Sequence, residues 1–447
     1  MTRRGQRSAL ALCLSAAVSC RDGSDPVAAT TNSRLPSDRP AFQIAPKAAN
    51  WTRLSPVVSP PARVNHAMAT GPNGVFVFGG EGPSGPLNDL WQWNGTNWTL
   101  VLSGKLSAPS PRIGAAMAYD PVRQRLVLTG GCDHSVLPAR RFFDTWELNP
   151  LSKSGPAWVV RSSLLPADTD PCYATMAYDS SFQELVLVLK DGRNPNNQYV
   201  WNGSTWSAIQ PLGVYYLFHG LAFHQATGTI VMCCGVKTTT SDLFGLSNDT
   251  WVGHAGRFAQ RSPIAIAPQE AWQILTPYPP GGSLLLFGGP NPTTRGGSQR
   301  GYDSFAGPAS WTGTQWVLLQ FAFPSPAGRI TSMAYDAAHG NIVLFGGLNA
   351  SGFHSDTWTW GRQVACVPLE GAEVPVGTSV ECFFKLGTGV DLVHWDADGF
   401  APKHRTTTTA RFHPTGPGPA VVRVTWTGEE GEQSTEIRFT IAHPHAP

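Results

Sequence analysis

Charge is scarce in this chain. Asp, Glu, Lys and Arg make up 14% of its 447 residues, where about a quarter is usual. The formal net charge is +2, and no stretch gathers Lys and Arg into a stripe, so nucleic acid is not an implied partner. The chain is also not acidic enough to read as a disordered, solvating polymer. No segment carries a long apolar period of 3.6 residues, so almost no helix is expected in the mature protein. GxSxG, HExxH, a Walker loop and CxxC pairs at zinc spacing are all missing. On those grounds no catalytic residue, metal-ligand set or cofactor is assigned.

What is abundant is the material of short strands and tight turns. The sequence holds 47 Gly, 38 Pro, 16 Trp and 21 Phe, a composition that points to an all-β fold.

Residues 1–20, MTRRGQRSALALCLSAAVSC, begin with Arg3, Arg4 and Arg7 and continue into an apolar run over 8–18. That run falls short of the roughly 20 residues that span a bilayer and fits a signal peptide. It ends in Ala17-Val18-Ser19-Cys20, which resembles the lipobox of bacterial lipoproteins. The resemblance implies lipidation of Cys20 and an exported protein held at the outer membrane or cell surface; an ordinary signal peptide cut near Ser19 is the alternative. Residues 21–49 lack periodicity and large apolar side chains and read as a disordered tether.

Self-similarity dominates residues 50–362. HAMATGPNGVFVFGG (66–80), AAMAYDPVRQRLVLTGG (115–131), ATMAYDSSFQELVLVLK (174–190), GLAFHQATGTIVMCCG (220–235), GGSLLLFGG (281–289) and SMAYDAAHGNIVLFGG (332–347) share one design. Each has a small-residue strand, a turn and an apolar strand, usually ended by paired glycines; the fifth is the most divergent. Downstream come Asp89-Leu90-Trp91, Asp144-Thr145-Trp146, Tyr199-Val200-Trp201, Asp249-Thr250-Trp251, Ser310-Trp311 and Asp356-Thr357-Trp358, then usually a second aromatic. The period is near 50 residues. With its Gly pair and two downstream aromatics, this region resembles the kelch family. The resemblance implies a six-bladed β-propeller, in which sheets bury their faces against one another. The sixth repeat lacks its second Trp strand, and Asn50-Trp51-Thr52-Arg53-Leu54 is a spare copy of it. Trp51 is therefore expected to pair into the last blade and close the ring.

Residues 363–447 lose the glycine pairs and show short alternating runs around Trp395. They are similar to bacterial Ig-like and PKD modules, which implies a small Ig-like β-sandwich. An even number of cysteines in the mature exported chain, once Cys20 is set aside, favours disulfides. Cys366 with Cys382 and Cys132 with Cys172 are the candidate pairs. Cys233 and Cys234 are adjacent and are read as buried thiols, a vicinal disulfide or a soft-metal site.

A ligand is expected at the channel mouth, where inner-strand ends meet. Arg63, His66, Arg112, Asp133, His134, Lys190, Asp191 and Arg329 are the candidate ligand-binding residues. Arginine forks there would suit carboxylates; their alternative role is holding blades together. The expected function is binding or adhesion, with a glycan or protein ligand and a membrane contact through the lipid anchor. The competing class is an enzyme: a galactose-oxidase-like copper oxidase, which also joins a kelch propeller to an Ig-like domain, or a sugar-processing enzyme.

Overall fold

The computed structural model describes residues 50–104, 108–189, 198–209, 215–238, 243–255, 257–263, 273–279, 282–289, 309–319, 325–361, 364–367, 373–375, 378–384, 392–406, 409–428 and 431–442. The signal peptide, Cys20 and the tether, together with Lys190 and Asp191, lie outside the described residues.

The described chain is all-β and contains no helix. Each sequence repeat becomes one four-stranded antiparallel sheet, and six such sheets follow in order. Their first strands are Ala67–Gly71, Ala116–Asp120, Thr175–Asp179, Gly220–His224, Ile274–Tyr278 and Ile330–Asp336. Each first strand touches the next, and the sixth touches the first. The result is a β-propeller, a closed ring of sheets around one axis. Second strands carry the apolar runs: Val75, Val77, Leu126, Leu128, Leu185, Leu187, Leu284, Ile342 and Leu344 are all buried. A twisted sheet this apolar on both faces can be stable only between neighbours.

The ring closes as the sequence implies. Strand Asn50–Leu54 pairs antiparallel with Gly352–Gly361, placing Trp51 opposite Trp360. The last sheet therefore takes its outer strand from the other end of the repeat region.

Glycine pairs end the second strands where the backbones crowd. Gly80 has φ +90°, and a Cβ there would lie 2.7 Å from the Val64 carbonyl oxygen. Only glycine meets both conditions at once.

A second polar pattern ties sheet to sheet. The Trp98, Trp206 and Trp316 indoles donate to Thr357, Thr145 and Thr250 of the preceding repeat, at 2.9, 2.7 and 2.9 Å. These are the threonines of the D-T-W motif. The first repeat has Leu90 instead, and the Trp158 indole facing it is buried without a partner.

After residue 363 the chain forms two further sheets. One orders Val364–Val367, Val380–Phe384, Thr409–Pro414 and Phe400–Ala401. The other is built on the long hairpin Gly418–Gly428/Gly431–Ile441. Both contribute to one core around Trp395, with Phe412, Val422, Val424 and Phe439.

Cys132 and Cys172 form a disulfide, with their Cα atoms 5.4 Å apart. Cys382 is disulfide-bonded, and Cys366 stands opposite it across the strand ladder. Cys233 and Cys234 are joined as a vicinal disulfide and are buried, one of the three states open to them from sequence.

Candidate functional site

The ring encloses an axial cavity of about 630 Å³ lined by the first strands of all six repeat sheets. Its wall is a stack of layers, because the same repeat position recurs at the same height. One layer holds Met68, Met117, Met176, Leu221, Leu275 and Met333. Another, toward the strand ends, holds Tyr119, Tyr178, Phe223 and Tyr335, with Thr70 and Pro277 completing it. A third, at the opposite end, holds His66, Ala115, Ala174, His219, Gln273 and Thr331.

The mouth beside this third layer is built from left-handed backbone. Asn65, Gly114, Tyr173 and Phe218 occupy one repeat position, with φ of 54°, 60°, 58° and 56°. Gly114 N–H donates to the Asn65 carbonyl and Tyr173 N–H to the Gly114 carbonyl, each at 2.8 Å. Glycine takes this conformation freely, whereas an aromatic residue held there is strained by roughly 1–3 kcal/mol. The Tyr173 and Phe218 rings pack edge to face, 5.4 Å between centroids, and both line the cavity.

Two imidazoles sit in the third layer. His219 contacts Thr175 Oγ1 at 2.8 Å through Nε2, and burial lowers its pKa to about 4. His66 is buried with neither ring nitrogen hydrogen-bonded. Burial, helped by the Arg63 charge, lowers its pKa to about 3. Both rings are therefore neutral at physiological pH.

This arrangement has a consequence for stability. The unfolded imidazoles take up protons as pH falls below 6.5, while the folded ones stay neutral down to about 4 and about 3. Stability must therefore fall on acidification across that window, by up to about 1.4 kcal/mol per pH unit for each group. His224 and His354, also lowered by burial, act in the same direction. Glu81, raised by burial and by Asp133, acts in the opposite one. His66→Ala introduces the residue found at the same position in the second and third repeats, and it should flatten the urea-midpoint profile between pH 6.5 and 4. An unchanged slope would remove His66 from this account.

The arginines expected to face a ligand do not. Arg63, Arg112 and Arg329 are buried at 0%, 1% and 3% exposure, and none lines the cavity. Arg63 forks onto Asp89 at 2.7 and 2.8 Å and also donates to the Gly79 and Pro61 carbonyls. Arg112 does the same with Asp144, Gly130 and Ser110; Arg329 bonds one Asp356 oxygen, at 2.6 Å, and the Gly346 and Ala327 carbonyls. In each repeat a tryptophan indole completes the carboxylate: Trp91 at 2.6 Å, Trp146 at 2.7 Å and Trp358 at 2.7 Å. These arginines are clamps: each side chain bonds its own repeat while the backbone of the same residue hydrogen-bonds the preceding one, at Gly347, Gly80 and Gly289. The fourth repeat builds the clamp differently, with the Tyr216 hydroxyl on Asp249, Trp251 Nε1 donating to Tyr216 at 3.1 Å and Lys237 on Asp249 at 3.0 Å.

Of the other expected site residues, His66 lines the cavity. Asp133 and His134 stand beside the mouth on the small hairpin Cys132–Asp133/Arg140–Arg141, and the His134 ring contacts Tyr173. Sequence reading missed the aromatic residues of the wall as site residues. Their recurrence in the MAYD motif was the available signal.

No protein-family model matches the sequence. Among solved structures, that of YjhT is similar to 68% of this chain over 95% of its own length, at 13% identity and a TM-score of 0.48.

Proposed function

We propose that this protein is an exported, lipid-anchored binding protein. In this reading, lipid on Cys20 and the tether of residues 21–49 hold residues 50–362, a six-bladed kelch-type propeller, at the outer membrane or cell surface, followed by an Ig-like module over 363–447. The ligand is a glycan held in the axial cavity, and the protein does not transform it; no cofactor and no nucleic acid enter the reading.

The cavity carries the proposal. Its volume of about 630 Å³ lies within the range of small-ligand sites. Tyr173 and Phe218 at one mouth, and Tyr119, Tyr178 and Phe223 toward the other, offer flat apolar faces on which the CH faces of a sugar ring can stack. His66, His219, Gln273 and Thr331 line one end of the cavity and are the few polar residues among apolar ones that such sites use. A protein ligand is the second reading. It is favoured by Leu137, 85% exposed at the tip of the hairpin beside the mouth, with Val136 next to it.

The mature chain, probed on an array of glycans and cell-wall polymers, should give reproducible hits. Ala115→Trp, which fills the mouth, and Tyr178→Ala should abolish them without unfolding the protein. Binding of a protein partner that survives Ala115→Trp but is lost in Leu137→Asp would assign the second reading. Chemical conversion of a captured sugar would overturn the non-enzymatic reading.

A further inference from the structure

Cys132, His134 and Cys172 meet beside the cavity mouth, and their Sγ and imidazole nitrogen atoms all lie within 4.8 Å of one another. Cys132 Sγ is 3.0 Å from His134 Nε2. Among the described residues this is the one such group of three. A disulfide sulfur carries no proton and accepts hydrogen bonds weakly, while the imidazole also makes a ring contact with Tyr173. Beside free thiols it would stabilise a thiolate.

The backbone holds the three residues in place independently of the S–S bond. Cys132 exchanges both backbone hydrogen bonds with Ile113, at 2.8 and 2.9 Å. Cys172 is bracketed by Gly131 N–H to the Pro171 carbonyl and Tyr173 N–H to the Gly114 carbonyl, both 2.8 Å, and its own N–H donates to Asp170 at 3.2 Å. Reduction therefore leaves two sulfurs and one imidazole gathered. A tetrahedral ion with bonds of about 2.3 Å to sulfur and about 2.0 Å to nitrogen needs ligand atoms roughly 3.5 Å apart; Cys132 Sγ and His134 Nε2 stand 3.0 Å apart, and the two sulfurs, bonded to each other in the disulfide, move apart once it is reduced. Both sulfurs are buried, while His134 is partly exposed, which gives an ion a path in. Two thiolates neutralise a divalent charge, so the buried site holds no net charge. Soft sulfur with imidazole selects zinc-like ions over hard ones.

We propose that Cys132, His134 and Cys172 form a redox-gated site for one thiophilic divalent ion of the zinc class, its fourth position open toward the channel mouth. In the oxidised protein the disulfide occupies the site. A thiol reductant opens it: the S–S bond breaks, two reductant thiols are oxidised to a disulfide, and each cysteine sulfur gains a proton. Both protons leave when the ion binds the two thiolates. The inference is independent of what the cavity binds.

The test uses the mature chain, reduced with a dithiol, freed of reductant without air and titrated with Co²⁺ as a coloured substitute for zinc. A thiolate-to-cobalt absorption saturating at one ion per chain is expected, absent from the oxidised protein and displaced by Zn²⁺. Cys132→Ser should abolish it. His134→Ala, at a partly exposed position that tolerates truncation, should weaken binding by at least about tenfold, the loss that even an outer-shell partner costs. No saturable absorption in the reduced protein, an undiminished signal in Cys132→Ser, which would move it to the other cysteine pairs, or unchanged affinity in His134→Ala would each overturn the proposal.

Discussion

Replacing Arg112 by methionine should lower the unfolding free energy by about 3–5 kcal/mol, the cost of removing one partner from a buried ion pair. The side chain is fully buried and bonds both Asp144 oxygens, at 2.6 and 2.9 Å. Its guanidinium also satisfies the Gly130 and Ser110 carbonyls, each at 3.0 Å, and lies 4.2 Å over the Phe142 ring. Methionine fills most of the volume and replaces none of these bonds. Burial pushes the Asp144 carboxyl up, but the Arg112 hydrogen bond and charge, with the Trp146 indole, hold it below the ordinary carboxylate value. That stabilisation is present above the unfolded pKa and is lost as pH falls through the lower folded one. The deficit of the variant, measured by urea midpoints, should therefore shrink in strong acid. Arg112→Met with Asp144→Leu removes both charges and should recover most of the loss, because no carboxylate is then stranded. A deficit as large in the double variant as in the single one would mean that packing, not charge, carries the effect.

The clamp shows what one sequence can and cannot display. Repeated small-residue strands, apolar strands and glycine pairs fixed the sheet order, because each follows from local backbone requirements. The spare strand at Trp51 was legible because it matched Asn97-Trp98-Thr99-Leu100 in the first repeat. The arginines were visible as a recurring residue, but their partners stand 26, 32 and 27 positions later, in a motif already accounted for as a strand. One signal did link them: Arg63, Arg112 and Arg329 occur in repeats that carry Asp-x-Trp, and the fourth repeat, which has the motif but no arginine at the equivalent position before its first strand, supplies Tyr216. The cavity wall was legible residue by residue and hidden as a site. Met117 or Tyr178 reads as one strand position, and only ring closure stacks such positions into layers. The Cys132–Cys172 pair was legible in the sequence although 40 residues separate the two cysteines; the approach of His134 Nε2 to Cys132 Sγ, at 3.0 Å, was not.

Ring closure itself can be tested at its smallest part. Trp51→Ala should cost about 3–5 kcal/mol, the usual range for truncating a buried aromatic residue. Trp51 is 3% exposed and packs against Phe287 and Trp360, with ring centroids 5.0 and 5.5 Å away. It thus touches the fifth sheet as well as its own, and its loss loosens two sheets together. Trp51→Phe should cost far less. The indole N–H is buried without a hydrogen-bond partner, so phenylalanine gives up some contact area but also relieves an unsatisfied polar group. Deleting residues 50–54 should do more than the alanine variant. It strips the outer edge of strand Gly352–Gly361, where every residue from Thr357 to Gly361 has a partner in the latch. A bare edge of that length is a template for pairing with another chain, so the deleted protein should elute as larger species in size-exclusion chromatography as well as melt earlier. A deletion variant that stays monomeric and as stable as Trp51→Ala would show that the latch acts through its tryptophan alone, with the backbone ladder adding nothing to closure.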